Sequence, residues 1–224
     1  WSSDVCSSDL SSRSTRNNFS SIGEFAVTFK DKFIQFMYNF TWLGKIYYIL
    51  TMKISEILKK CPIPIFNSPK EIKLLIDNGK LYKHDNIANV ITDYLIHPRA
   101  IQCRLEKKIP FGDCDDHAIY WCTALKKSKL VKKVWFSFFT MKGRWPDDTY
   151  QSHAVCVFLG QDYNLYWCDY SEPRKIEKIG DFQTDSANRY GYEPVCGAIW
   201  EVIEVLNDDT PIFGQTLKIL PPKK

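Results

Sequence analysis

The segment 152–171, SHAVCVFLGQDYNLYWCDYS, decides how the chain folds. Apolar residues crowd both halves, and a short break at Gly160-Gln161-Asp162 separates them. Two β-rich runs joined by so short a break read as a hairpin. Folded about Gln161, it pairs Leu159 with Tyr163, Val157 with Leu165, Val155 with Trp167 and His153 with Asp169. Side chains alternate along a strand, so these four pairs share one face. The register thus sets the only histidine of the hairpin opposite an aspartate.

On either side of the hairpin the pattern extends. Residues 133–141 and 195–205 are rich in aromatic and β-branched side chains and read as two further strands, beside 153–160 and 164–170. The runs KGRWPDD and SEPRKIEK read as loops. Upstream the period changes to that of helices. Residues 69–82 read as a helix opened by Pro69 and stopped by Asn78-Gly79; 85–96 as a short helix ended by His97-Pro98; and 114–127 as a longer one. Helices first and an antiparallel sheet second predict an α+β fold.

Further upstream, the proline-punctuated CPIPIFNSP at 61–69 marks a boundary. Before it, apolar residues recur at helical spacing from Phe25 to Leu58, interrupted by Lys30, Asp31, Lys32, Lys45 and Lys53. A membrane span needs roughly 20 residues with few charges, so residues 22–60 read as a helical extension packed on the main domain; membrane-surface contact is the lesser reading. The opening WSSDVCSSDL reads codon by codon like a sequencing adapter, and residues 11–21 are polar and aperiodic. Residues 1–21 are therefore set aside as adapter-derived or disordered, with any leader hidden. The main domain is 61–224.

Composition bounds the function. The 224 residues are 45% hydrophobic and 25% charged, with a net charge of +4, which is ordinary for a globular protein. The lysines are scattered and no basic stripe interleaves with aromatics, which argues against nucleic acid as a partner. Setting Cys6 aside leaves an odd number of cysteines without a small-scaffold spacing. That argues against a disulfide framework, for reduced thiols and for a cytoplasmic setting. Cys103, Cys122, Cys156, Cys168 and Cys196 read as small buried hydrophobes.

Cys114 is the exception. In PFGDCDDHAIYW, 110–121, it opens a helix with Asp113 at the N-cap and Asp115 and Asp116 in the first turn. A helix N-terminus favours thiolate and can draw a thiol from about 8.5 into the range of roughly 3.5–7.5. The acids suit the helix but oppose the thiolate, and the dipole contributes only about 0.3–1 kcal/mol. A cation is required, and an imidazolium is the usual one. Of the four histidines, His84 and His97 read as solvated loop residues. His117 sits one helical turn from the thiol and is a lesser candidate. His153, oriented by Asp169, is the best placed by register.

A cysteine in GDCDDHA at a helix start, HAV opening a strand, and an aspartate ending the next strand together resemble the transglutaminase-like (papain-like) superfamily. Its bacterial transglutaminase-like cysteine proteinases are the nearest in motif. The resemblance spans roughly residues 70–172. It implies a papain- or transglutaminase-like core, with Cys114 at a helix N-terminus packed on an antiparallel sheet that carries His153 and Asp169. Cys114 would be nucleophile, His153 base and Asp169 orienter in a thioester mechanism on peptide or isopeptide amide bonds. The partner would be a protein or peptide substrate, and hydrolysis is favoured over amine transfer. Gln102 is the side-chain candidate for the oxyanion site, beside the backbone N–H of Cys114. No cofactor or metal is implied, and the oligomeric state is left open. His117 stands where the family often has an aromatic residue.

Two other classes compete. One is a non-catalytic phage or structural protein that keeps the fold. The other is a zinc protein, because Cys114-x2-His117 and His153-x2-Cys156 imitate zinc half-sites. The second half-site conflicts with strand geometry, since residues three apart point to opposite faces.

Overall fold

The structure is a computed structural model, and it describes residues 43, 45–47, 49–50, 61–78, 95–109, 112–143, 150–170 and 172–219. Among the described residues, helices α1 (Pro69–Asn78), α2 (Pro98–Glu106), α3 (Cys114–Lys127) and α4 (Asp181–Tyr190) accompany six strands, beside helical residues in 43–50. The strands are β1 (Val131–Gly143), β2 (Tyr150–Gly160), β3 (Leu165–Cys168), β4 (Arg174–Ile176), β5 (Tyr192–Val205) and β6 (Pro211–Ile219). They form one sheet in the order β4-β3-β2-β1-β5-β6, with every neighbouring pair antiparallel. The expected α+β class is correct at this level.

The central strand β1 is buried without a break from Val134 to Met141, so its sequence is mostly apolar there instead of alternating. The cause is cover on both faces. Phe136 and Phe138 of β1, Ala154, Cys156 and Phe158 of β2, Cys168 of β3 and Trp200 of β5 pack with α3. The alternate residues Phe139, Val155, Val157, Trp167 and Ile199 pack with Phe182 and Ala187 of α4. Helix α3 is buried from Asp115 to Leu125, because α1 and α2 cover the side turned away from the sheet. Pro194 sits where the β1–β5 register shifts, a bulge position that does not require the N–H proline lacks.

Several expectations are corrected. The hairpin turns about Asp162 and not Gln161: Leu159 pairs with Leu165, Val157 with Trp167 and Cys156 with Cys168. The loop is Gln161–Tyr163, closed by Tyr163 N–H donating to Gly160 O and Gly160 N–H donating to Asn164 O. Hydrogen bonds from the side chains of Asn164 and then Tyr166 hold the Asp162 carboxyl down to about 2. Such a three-residue loop places its last residue in the left-handed region, usually a glycine. Here Tyr163 stands there, with φ of 63°. Moving the turn centre by one residue displaces the pairing by two, and a displacement of two preserves the face.

One expected loop and one expected stop are in fact elements. Strand β4 lies inside SEPRKIEK. Pro98 opens α2, in the first-turn position where its missing N–H costs nothing, and does not merely end what precedes it. Helix α4 and strand β6 had no counterpart in the sequence reading. Of the helix expected at 85–96, residues 85–94 lie outside the described residues, and 95–96 are not helical.

Cys61 and Cys103 form a disulfide with a sequence separation of 42. This corrects the expectation of uniformly reduced thiols and removes the argument drawn from it for a reducing compartment. Closing a loop of that length contributes about 4 kcal/mol in the chain-entropy account. The same stretch is no free linker: Ile63 and Phe66 are in the core, and Phe66 N–H donates to Ser128 Oγ at 2.9 Å. Cys122, Cys156 and Cys168 are buried, as expected, whereas Cys196 is half-buried. Within the expected extension, residues 43, 45–47 and 49–50 are helical; Ile49 packs on the α3-side core and Lys45 Nζ donates to Gly214 O. Among the described residues no helix is long and apolar enough to cross a membrane.

Candidate active site

Helix α3 begins at Cys114, which is half-buried and packs against the α3-side core. Asp113 occupies the N-cap position, but its side chain makes no capping hydrogen bond, contrary to the expected role. The acids that follow do other work. Asp116 Oδ1 accepts the backbone N–H of Ile96 at 2.7 Å, tying the segment before α2 to the start of α3. Gly112 makes room for it: φ is +140° and an added Cβ would fall 1.7 Å from Asp116 Oδ2. Asp115 Oδ1 accepts the N–H of Asp116 at 3.0 Å. Carboxylate oxygens of Asp113, Asp115 and Asp116 lie within 4.8 Å of one another.

His153 and Asp169 meet, although not as direct partners. The true register sets Asp169 one step along the diagonal from His153, on the same face, within reach of a long side chain. The distance from His153 Nε2 to Asp169 Oδ2 is 3.7 Å, just beyond a hydrogen bond. Both are buried, at 8% and 1% side-chain exposure. Helix α4 supplies two groups the sequence reading missed. Arg189 Nη1 lies 3.2 Å from Asp169 Oδ2, and the Tyr190 hydroxyl donates to the same oxygen at 3.3 Å. Rings of Phe139, Tyr190 and Tyr170 surround the imidazole at 5.8, 5.6 and 6.0 Å between centroids.

Phe139 is the register partner of His153 and belongs to the α4-side core. His153 therefore springs from the face that α4 covers, while Cys114 packs against the opposite cluster. Tyr170 joins the two sides: its ring lies 4.8 Å from that of His117 on α3 and 6.0 Å from that of His153. His117 is buried, and that burial brings its imidazole down to about 4, against Asp113 and Asp169, which raise it. The same alternation separates His153 from Cys156, which faces α3.

Gln102 lies buried on α2 with both ends of its amide engaged. Nε2 donates to Glu106 Oε1 at 2.8 Å, and Oε1 accepts the Tyr120 hydroxyl. His97, expected in solvent, is fully buried. It caps α2: Nδ1 accepts the N–H of Arg99 at 3.2 Å, and Nε2 lies 3.1 Å from Thr210 Oγ1. His84 lies outside the described residues. Burial pushes the thiols of Cys122, Cys156, Cys168 and Cys196 up. No family model matches the chain, and no curated protein matches it.

Proposed function

We propose that Cys114 carries thiol-dependent acyl chemistry on peptide or isopeptide amides, in a papain- or transglutaminase-like core, with His153 as base and Asp169 as its orienter. The observation that carries this reading is the buried His153–Asp169 contact at 3.7 Å, linked through Tyr170 to the helix that Cys114 begins. The Cys114 thiolate attacks the carbonyl carbon, and the C–N bond breaks as the imidazolium gives its proton to the leaving amine. Water, deprotonated by the imidazole, then cleaves the thioester, releasing the acid and restoring the thiol. An amine in place of that water gives transfer instead. The N–H of Cys114, in the first turn of α3, is the oxyanion donor this reading relies on. Gln102 would have to leave Glu106 to serve beside it.

A second reading is favoured by one observation: His153 stands on the α4-covered face while Cys114 packs against the other. In it the protein is non-catalytic, and the cluster of His153, Asp169, Arg189 and Tyr190 pins α4 to the sheet. Limiting iodoacetamide near pH 6, followed by peptide mapping, separates the two. Under the first, Cys114 alkylates at least about ten-fold faster than half-buried Cys196, because only a stabilised thiolate reacts well at that pH. His153→Ala should abolish that advantage. Equal rates for Cys114 and Cys196 would leave the second reading standing.

A further inference from the structure

Three donors converge on a single oxygen of Asp169. Arg189 Nη1 stands 3.2 Å from Oδ2, the Tyr190 hydroxyl 3.3 Å and His153 Nε2 3.7 Å. A carboxylate oxygen offers about two lone-pair directions. Arg189 and Tyr190 are within hydrogen-bonding distance of Oδ2, and the imidazole is left outside. Exposure divides the group: the Asp169 side chain is 1% exposed and Arg189 is 30% exposed. The guanidinium meets the carboxylate through one nitrogen and not as a fork, the weaker of the two geometries. Arg189 is thus the cation of the cluster with a route into water.

We infer that Arg189 is a positioning residue that acts on His153 through Asp169. While Arg189 holds Oδ2, the carboxylate is kept at long range from the imidazole. When the arginine turns into solvent, Oδ2 loses that contact while it keeps Tyr190, and His153 closes to hydrogen-bond distance. Adjacent residues along α4, Arg189 and Tyr190, thereby set how strongly Asp169 orients the imidazole. The inference rests on the reading of His153 and Asp169 as the working pair. Among the described residues, other titratable groups near the pair include His117 on α3, Cys168 at the end of β3 and Tyr170 just past it. The β1 residue packed on His153, Phe139, does not titrate.

The test follows the His153 imidazole protons by NMR against pH, in the full chain and in Arg189→Met, Arg189→Lys and Tyr190→Phe. Arg189→Met keeps the aliphatic stem and removes the charge. It should raise the midpoint of the His153 titration by about one unit, as a cation is lost and the carboxylate is released toward the imidazole. Arg189→Lys should stay near the parent midpoint. Tyr190→Phe frees the same oxygen without changing charge and should raise the midpoint by less. It is the deciding variant if Arg189→Met does not fold. An unchanged midpoint in a folded Arg189→Met, or in Tyr190→Phe where that variant decides, overturns the inference. Cys114 alkylation is measured on the same samples. A raised midpoint with a Cys114 rate no faster than that of Cys196 supports the role of Arg189 and removes the thiol reading instead.

Discussion

Neutralising Asp209 should cost more stability than changing any group of the candidate site, because three separate segments end on its carboxylate. Asp209 closes the loop between β5 and β6, with φ of 63° and its side chain fully buried. Oδ2 accepts Arg99 Nε of α2 at 2.9 Å and the backbone N–H of Ile63 at 3.0 Å. Oδ1 meets Lys127 Nζ of α3 at 2.6 Å. Removing one partner of a buried ion pair costs about 3–5 kcal/mol. Here the cations are 22% and 24% exposed, so each can turn partly to water, and the figure must be discounted. Asp209→Asn keeps an oxygen for Ile63 and tolerates the left-handed backbone. It should cost about 2–3 kcal/mol. Asp209→Ala also orphans the Ile63 N–H, adding about 1–3 kcal/mol, and adds left-handed strain of roughly 1–2 kcal/mol.

Urea denaturation followed by tryptophan fluorescence reads these losses as a fall in midpoint at constant slope. The asparagine variant should fall measurably and the alanine variant further, to the point of partial unfolding without denaturant, since domains hold only about 5–15 kcal/mol in total. A cycle with Lys127→Met should return a coupling of at least about 1 kcal/mol with Asp209→Asn. An Asp209→Asn chain within about 0.5 kcal/mol of the parent, or a coupling near zero, would refute the reasoning, because the segments would then be held by apolar packing alone.

Two further outcomes are expected. His117 is held neutral by burial, at about 4 in the folded chain against 6.5 for a free imidazole, so the unfolded chain binds the extra proton between those values. Stability should therefore fall as pH drops from 6.5 to 4 and level off below, by on the order of 3 kcal/mol from this group; His117→Gln, compared by urea midpoint at each pH, should flatten that slope, and an unchanged slope would contradict the burial account. Gly112→Ala would drive a methyl into Asp116 and impose a side chain on φ of +140°, so the melting temperature should drop by several degrees; a neutral effect would show that Asp116 does not need to hold Ile96.

The sequence exposed the centre of the fold and hid its cover. Helix α3, strands β1, β2 and β5, and the β2–β3 hairpin were legible because their apolar runs are long and bounded by turn residues. Helix α4 was not: in DFQTDSANRY the buried apolar residues are Phe182 and Ala187, too few for a helical stripe. Arg189 and Tyr190, both partners of Asp169, lie on that same unsignalled helix. A histidine before a proline has the pattern of a solvated loop residue, yet the His97 ring is consumed by a helix cap and by Thr210. Cys61 and Cys103 lie 42 residues apart in sequence, and no local spacing pairs them.

The hairpin shows which kinds of error a register argument survives. Turn centres are read from glycine and asparagine, but here tyrosine and aspartate fill the left-handed positions at Tyr163 and Asp209. A centre read from those residue types falls one residue early, and every pair then moves by two. Because a strand repeats every second residue, His153 and Asp169 stayed on one face, and the loss was only from a direct pair to a diagonal one at 3.7 Å. A sequence pattern fixes which residues share a face far better than it fixes what covers that face. The alternation that joined His153 to Asp169 also committed both to the side where α4 packs, a consequence invisible until α4 was seen. The acids around Cys114 follow the same logic. Their spacing suited a helix start, yet the partner of Asp116 is the backbone of Ile96, a contact set by packing and not by local sequence. In the proposed reading, chemistry at Cys114 requires the imidazole to reach from the α4-covered face to a thiol packed against the opposite cluster. The alkylation rate in His153→Ala measures that reach directly.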